Sequence, residues 1–259
     1  MSMAESLLSL RAQRKKAAYR NLLISLAALV IGILLAAFLW DSLGLLCAVP
    51  VLLVVIVYRL ALGVSKAKLE CAYKRVLLEE SICKDWDTVT YAPRRGVDPV
   101  VFRKSGFFPH VEGKDLFRVE SVSGQAGAIR AELCDVDFPL GTESQDKRRF
   151  TGCFLHLTCP DAQLPTIRVC GDTPESTGLH AKALMLVREL FARSEGGVYL
   201  SAHGDTLDIL LGGRIIGFRP DMSQVPDEEM LKENPFPEVS TAVNLIRILA
   251  QTDRWREDV

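Results

Sequence analysis

Residues 22–40 read LLISLAALVIGILLAAFLW, nineteen residues without a charge. Asp41 and Ser42 interrupt, and Leu43 to Tyr58 adds sixteen more uncharged residues. Past Arg59 the apolar run resumes as Leu60-Ala61-Leu62-Gly63-Val64. A bilayer core is crossed by about 20 helical residues. The first run meets that length directly. The second meets it when Arg59 lies near its end and extends the guanidinium to the headgroups. Pro50 is compatible with a membrane helix, in which neighbours satisfy the freed carbonyl. The pattern predicts a transmembrane hairpin over 21–64, turning around Trp40-Asp41-Ser42.

Two other readings of the first run fit less well. A signal peptide has a basic start, which Arg11, Arg14, Lys15, Lys16 and Arg20 would supply. Its apolar run is about 7–15 residues, shorter than this one; no small-x-small site ends the run itself, and a second apolar run follows two residues later. A hairpin buried in a soluble core normally shows a polar face, and neither run has one. Flanking charge then sets the orientation. Five Lys/Arg precede the first run, Arg59, Lys66, Lys68, Lys74 and Arg75 follow the second, and the turn has none. The positive-inside rule places both termini in the cytoplasm. Tyr19, Trp40 and Tyr58 stand where an aromatic belt belongs. Leu7, Leu8 and Leu10 beside Arg11, Arg14 and Lys15 lead into the first span along the cytoplasmic leaflet.

Composition agrees. The chain has 259 residues, 49% apolar and 24% charged, with mean hydropathy +0.17. That is too charged for a polytopic transporter and too apolar for an ordinary soluble domain, so the excess is local. Disorder, collagen and a disulfide-rich miniprotein are excluded. The net charge of −1 conceals a split. Residues 1–75 hold ten Lys/Arg against three Asp/Glu, a net +7; residues 76–259 hold twenty-one against twenty-nine, a net −8. The basic part suits an anionic membrane surface. The acidic remainder argues against nucleic acid as a partner, since phosphate binding needs a basic footprint.

The rest of the chain is long enough for one well-cored domain. The reading is a basic segment over 1–20, the hairpin over 21–64, a helical stalk over 65–92 and a cytoplasmic α+β domain over 93–259. Lys66 to Glu80 reads as helix, and Val89 to Gly96 as loop. Period-two patterning predicts strands over 116–122, 128–134, 150–158, 165–169, 198–202, 206–211 and 214–218. Leu179 to Arg193 reads as a helix with Leu184, Val187, Leu190 and Phe191 buried, and Val239 to Gln251 as a closing helix. Asp221 to Asn234 reads as a polar connection. Mainly antiparallel pairing is expected.

Short motifs stand on this layout: Phe102 with Ser105-Gly106-Phe107-Phe108, Gly113-Lys114-Asp115, Phe150-Thr151-Gly152-Cys153-Phe154, and a closing Arg254-Trp255. With two spans near the N-terminus, a stalk and a mixed domain, the chain resembles DUF3137, a family of bacterial membrane proteins of unknown function. The segment before Leu179 is shorter than the family's pattern. The resemblance implies an inner-membrane protein with two spans, and companions of LemA type. It implies no activity.

Candidate chemistry is sparse. The chain has seven cysteines, and a cytoplasmic domain keeps its thiols reduced. Cys47 falls in a span and Cys71 on the stalk. Cys153, His156, Cys159 and Cys170 suggest zinc, but on a strand Cys153 and His156 face opposite ways. Cys159 lies roughly 20 Å further along from Cys153, against zinc–sulfur bonds of about 2.3 Å. Asp135 and Asp137 share a strand face, as a hard-cation site requires, yet a pair at a strand end also reads as solvated charge. His203-Gly204-Asp205 is a hairpin turn. His110, His156 and His180 are isolated in sequence. Gly124-Gln125-Ala126-Gly127 lacks the Lys-Ser/Thr of a phosphate loop, and no Gly-x-Ser-x-Gly elbow is present. Asp146-Lys147-Arg148-Arg149 reads as a solvated loop. No catalytic, cofactor or metal site is assigned.

Three functions remain: a membrane-anchored interaction or scaffold module; a lipid- or small-ligand-binding domain, its strands closed by the last helix as in a pleckstrin-homology half-barrel; and a membrane-tethered hydrolase or transferase using Asp135, Asp137 or the cysteines.

Overall fold

The computed structural model describes residues 3–43, 48–78, 86–93, 95–141, 148–171, 179, 181–213 and 237–251. They form two compact units, one holding the two long N-terminal helices and the other holding every strand and the remaining helices.

In the first unit, α1 spans Met3–Leu43 and α2 spans Ala48–Leu77. The helices run antiparallel, tied by Arg20 Nη2 donating to Ser65 Oγ at 2.6 Å and Ser25 Oγ donating to the Tyr58 hydroxyl at 3.0 Å. Pro50 falls in the first turn of α2, where a missing N–H costs no helical bond. The helix continues unbroken past Arg59 and Gly63, so the apolar run from Ala48 and the start of the expected stalk, to Leu77, are one element. The expected turn at Trp40-Asp41-Ser42 is corrected: α1 runs through these residues to Leu43. Asp and Ser are only weak helix formers and do not end a helix unaided. Leu8–Leu34 is long and apolar enough to cross a membrane, and none of its apolar window is buried. A second span is not shown, because among the described residues only this helix meets both criteria.

The second unit is a seven-stranded, wholly antiparallel sheet: β1 Thr88–Ala92, β2 Phe117–Ala126, β3 Ile129–Pro139, β4 Arg149–Thr158, β5 Leu164–Gly171, β6 Val198–Gly204 and β7 Thr206–Gly212. Spatial order is β1-β2-β3-β4-β7-β6-β5, with β1 and β5 at the edges. The expected mixed α+β class and antiparallel pairing hold. Among the described residues, three helices accompany the sheet: α3 Pro99–Lys104, α4 Ala181–Arg193 and α5 Pro237–Gln251. Two expectations change. The stalk does not extend over 65–92, and Val89 to Gly96 is not all loop, since Thr88–Ala92 is an edge strand paired with β2. Val89, Thr90 and Tyr91 favour a strand, but a five-residue edge strand depends on a partner about thirty residues away or more. The predicted strand over 214–218, the connection over 221–234 and the Arg254-Trp255 motif lie outside the described residues.

Alternation divides the side chains between two cores. One face carries Val122, Leu133, Cys153, Leu155, Leu200 and Ile209, covered by α4 and α5. Val187 and Leu190 of α4 are buried there, with Val239, Val243, Ile246 and Leu249 of α5. The fully buried Ala183 replaces the expected Leu184, which is half-buried. The other face carries a smaller aromatic core built from Phe102, Phe107, Phe138, Phe150 and Phe154. Phe102 meets Phe138 and Phe154 edge-on, with ring centroids 5.4 and 5.2 Å apart, and Phe138 stacks on Phe150 at 5.0 Å. The Phe102–Phe108 and Phe150–Phe154 motifs, far apart in sequence, therefore form one cluster.

Candidate functional site

Residues directly opposite in an antiparallel sheet project from the same face. Following register partners strand by strand gives Thr90, Ser123, Glu132, His156, Asp208, Ser201 and Arg168, one from each strand from β1 to β5. Every member is polar. The adjacent row on that face, Thr88, Gln125, Arg130, Thr158, Thr206 and His203, is polar too. The row on the other side includes Cys134, Phe154, Leu210 and Tyr199 and lies among the aromatic core. One sheet face is thus divided: the half under α3 is apolar, and the other half is polar, with Thr90, Gln125, Arg130, Glu132, Arg168 and His203 exposed.

At the centre of the polar row, His156 Nδ1 lies 2.7 Å from Asp208 Oδ1. Their side chains are 17% and 8% exposed, so this is a largely desolvated pair. Burial raises the Asp208 carboxyl above its ordinary pKa, and the hydrogen bond and charge of His156 offset only part of that. With Asp208 ionised, Nδ1 carries the proton, and Nε2 is left on the opposite side of the ring. At the β5 end, Arg168 Nη2 donates to the Gly106 carbonyl at 2.5 Å, joining the row to the chain just after α3.

At the β1 end the row enters a cleft of about 510 Å³. Thr90, Ser121, Ser123 and Glu132 form its floor, and the 95–101 segment its wall. That wall is set by α3, whose N-cap Asp98 accepts a hydrogen bond from the Val100 amide at 2.8 Å. Phe102, 3% exposed, anchors the helix in the aromatic core.

The residues singled out from sequence are dispersed. Cys153 faces the larger core and His156 the opposite side, as strand alternation requires. Cys159 is half-buried beyond the end of β4, its thiol pKa raised first by burial and then by Asp161 and Asp205. Cys170 is exposed on β5. Among the described residues no three His, Cys, Asp or Glu side chains gather as a metal would need. Asp135 and Asp137 occupy the same side of β3, and only Asp137 remains partly solvated. Asp135 is 8% exposed. Asp137 is engaged by the Arg149 guanidinium and by Thr151 Oγ1 at 3.0 Å, both on β4. His203-Gly204-Asp205 is the β6–β7 turn, with Gly204 at φ +61. Gly124 to Gly127 ends β2 and opens its turn, with the Gly127 amide donating to Asp87 Oδ2 at 2.9 Å. His110 is exposed. Cys47, His180, Asp146 and Lys147 lie outside the described residues.

His156 is the correction that matters: isolated in sequence, it is paired in the fold. The local signal was one polar residue inside each of two apolar strands, Leu155-His156-Leu157 and Leu207-Asp208-Ile209. Set against family models, curated proteins and solved structures, the chain finds no match in any of the three.

Proposed function

We propose that the protein is a membrane-anchored module whose α+β unit presents the polar half of its sheet to a protein partner at the cytoplasmic face. The observation that carries the anchoring is the Leu8–Leu34 helix, whose apolar window has no buried residue. Leu22, Leu26, Leu29, Ile33 and Leu34 are each about half exposed or more. Left in water they would make an apolar patch far larger than soluble monomers tolerate. Arg11, Arg14, Lys15 and Lys16 at its start favour a cytoplasmic N-terminus. The second run, in α2, is read as the return span, which puts both termini on that side, in an inner membrane. Tethering confines the unit to a thin layer and raises its effective concentration for membrane-bound partners. The resemblance to DUF3137 favours a LemA-type companion among them. The acidic unit makes nucleic acid a poor partner.

Alkaline extraction of membranes, then crosslinking and purification from mild detergent, tests this. Retention in the pellet and a reproducible membrane-protein partner are expected. Release into the supernatant would overturn the anchor; a firm pellet with no partner would overturn the scaffold role.

A second reading, a small-ligand-binding domain near the bilayer surface, is favoured by the polar cleft between β1–β3 and the 95–101 segment.

A further inference from the structure

We infer that this cleft binds a small zwitterion of amino-acid type, one carrying a carboxylate and an ammonium. The inference deepens the small-ligand reading and rests on it. The cleft's volume, about 510 Å³, lies within the range of small-molecule sites, about 300–1,000 Å³. Arg95 and Glu132 both line it, one on the loop wall and one on β3. Among the described residues they form no ion pair, with each other or with a third group. Opposite charges that line one cleft without pairing with each other are both available to a molecule bearing both charges. Asp98, the other carboxylate in the lining, already serves as the α3 cap.

Ser121 adds an independent observation. It is 9% exposed and lines the cleft, and its hydroxyl has no hydrogen-bond partner among the described residues. The hydroxyl is open to the cleft, where a bound carboxylate or amine can hydrogen-bond to it. Thr90 and Ser123 supply two more hydroxyls on the same floor. In the bound state the Arg95 guanidinium takes the ligand carboxylate, where a two-pronged charge-assisted bond is available. Glu132 takes the ammonium. Val97 and Val101 give the ligand's side chain an apolar wall.

The test uses the full-length protein in mild detergent, with unfolding followed by tryptophan fluorescence. The probes are the twenty free L-amino acids one at a time, with glucose and glycerol phosphate as comparisons. At least one amino acid raises the unfolding midpoint, because a ligand bound only to the folded state stabilises it. Arg95→Gln and Glu132→Gln each weaken that binding about tenfold or more, the loss of one charge-assisted contact. Arg95→Lys and Glu132→Asp, which keep the charge, retain part of it. The deaminated and decarboxylated analogues of the best ligand bind correspondingly less well. Binding insensitive to both neutralising substitutions, or equally good binding of a singly charged analogue, overturns the inference. A shift from glucose or glycerol phosphate but from no amino acid overturns the zwitterion and spares the small-ligand reading. No shift from any probe overturns both.

Discussion

Asp208 stands between Leu207 and Ile209 on a central strand, 6% exposed, where an apolar residue would ordinarily sit. Its burial is tolerated because His156, directly opposite on β4, supplies a hydrogen bond. Removing one partner of such a pair leaves the other desolvated and unsatisfied. His156→Ala is therefore expected to cost about 1–3 kcal/mol, read from urea unfolding. The pair also sets a pH dependence. A carboxyl whose pKa is raised on folding holds its proton more firmly in the folded state. Its contribution to stability is complete below the ordinary carboxylate range and is lost as pH rises through the raised folded value. Unfolding free energies measured from pH 3 upward should show that decline, and Asp208→Asn, which cannot ionise, should flatten it; an unchanged slope would place the titration elsewhere. Gly152 is constrained differently. A Cβ there would collide with the Leu211 carbonyl and the Phe150 ring. Because the Leu211 carbonyl is backbone, Gly152→Ala should destabilise by about 1–3 kcal/mol, measured the same way.

Among the elements, α3 has the greatest effect for its length. Six residues make it, too few to be stable alone, so it exists because Phe102 is packed among Phe138 and Phe154. Its position then sets the wall of the polar cleft. Phe102→Ala should cost about 3–5 kcal/mol, the usual range for deleting a buried aromatic, and should abolish any ligand-induced rise in the unfolding midpoint. Phe102→Leu, which keeps most of the volume, should cost less than half as much. The strands of the sheet were legible as period-two runs, and α4 and α5 as stripes spaced three and four apart. Edge strand β1 and helix α3 were not, because both are short and depend on distant partners. The β2 strand also extends past its expected end at Val122, through Ser123, Gly124 and Gln125, residues poor in strand preference that are held by pairing on both sides.

For the whole molecule, the division into two units follows the hydropathy and charge patterns of the chain. The first unit leaves the apolar window of α1, within Leu8–Leu34, without a buried residue; the second buries its apolar residues on the two faces of a sheet. If α1 crosses a bilayer, an arginine at its centre is penalised by about 2.5–3.5 kcal/mol. Leu29→Arg should then reduce the fraction retained in membranes after alkaline extraction, while Leu29→Ile should not. Equal retention of both variants would argue that α1 is not inserted.

Features that depend on neighbours along the chain are legible from the residues alone: the apolar helices, the charge asymmetry around them, the period-two strands, the amphipathic α4 and α5, and the His203-Gly204-Asp205 turn. These follow from spacing alone, because a period of two or 3.6 residues selects one face whatever lies beyond it. Which polar residues meet depends on the assembled fold. His156 and Asp208 are separated by 52 residues, and nothing near either one encodes the pairing. The order in which β7 inserts beside β4 brings them together, along with the row from Thr90 to Arg168. Strand order and register are set by the closing of both cores together, so the polar half-face and its cleft exist only in the assembled sheet.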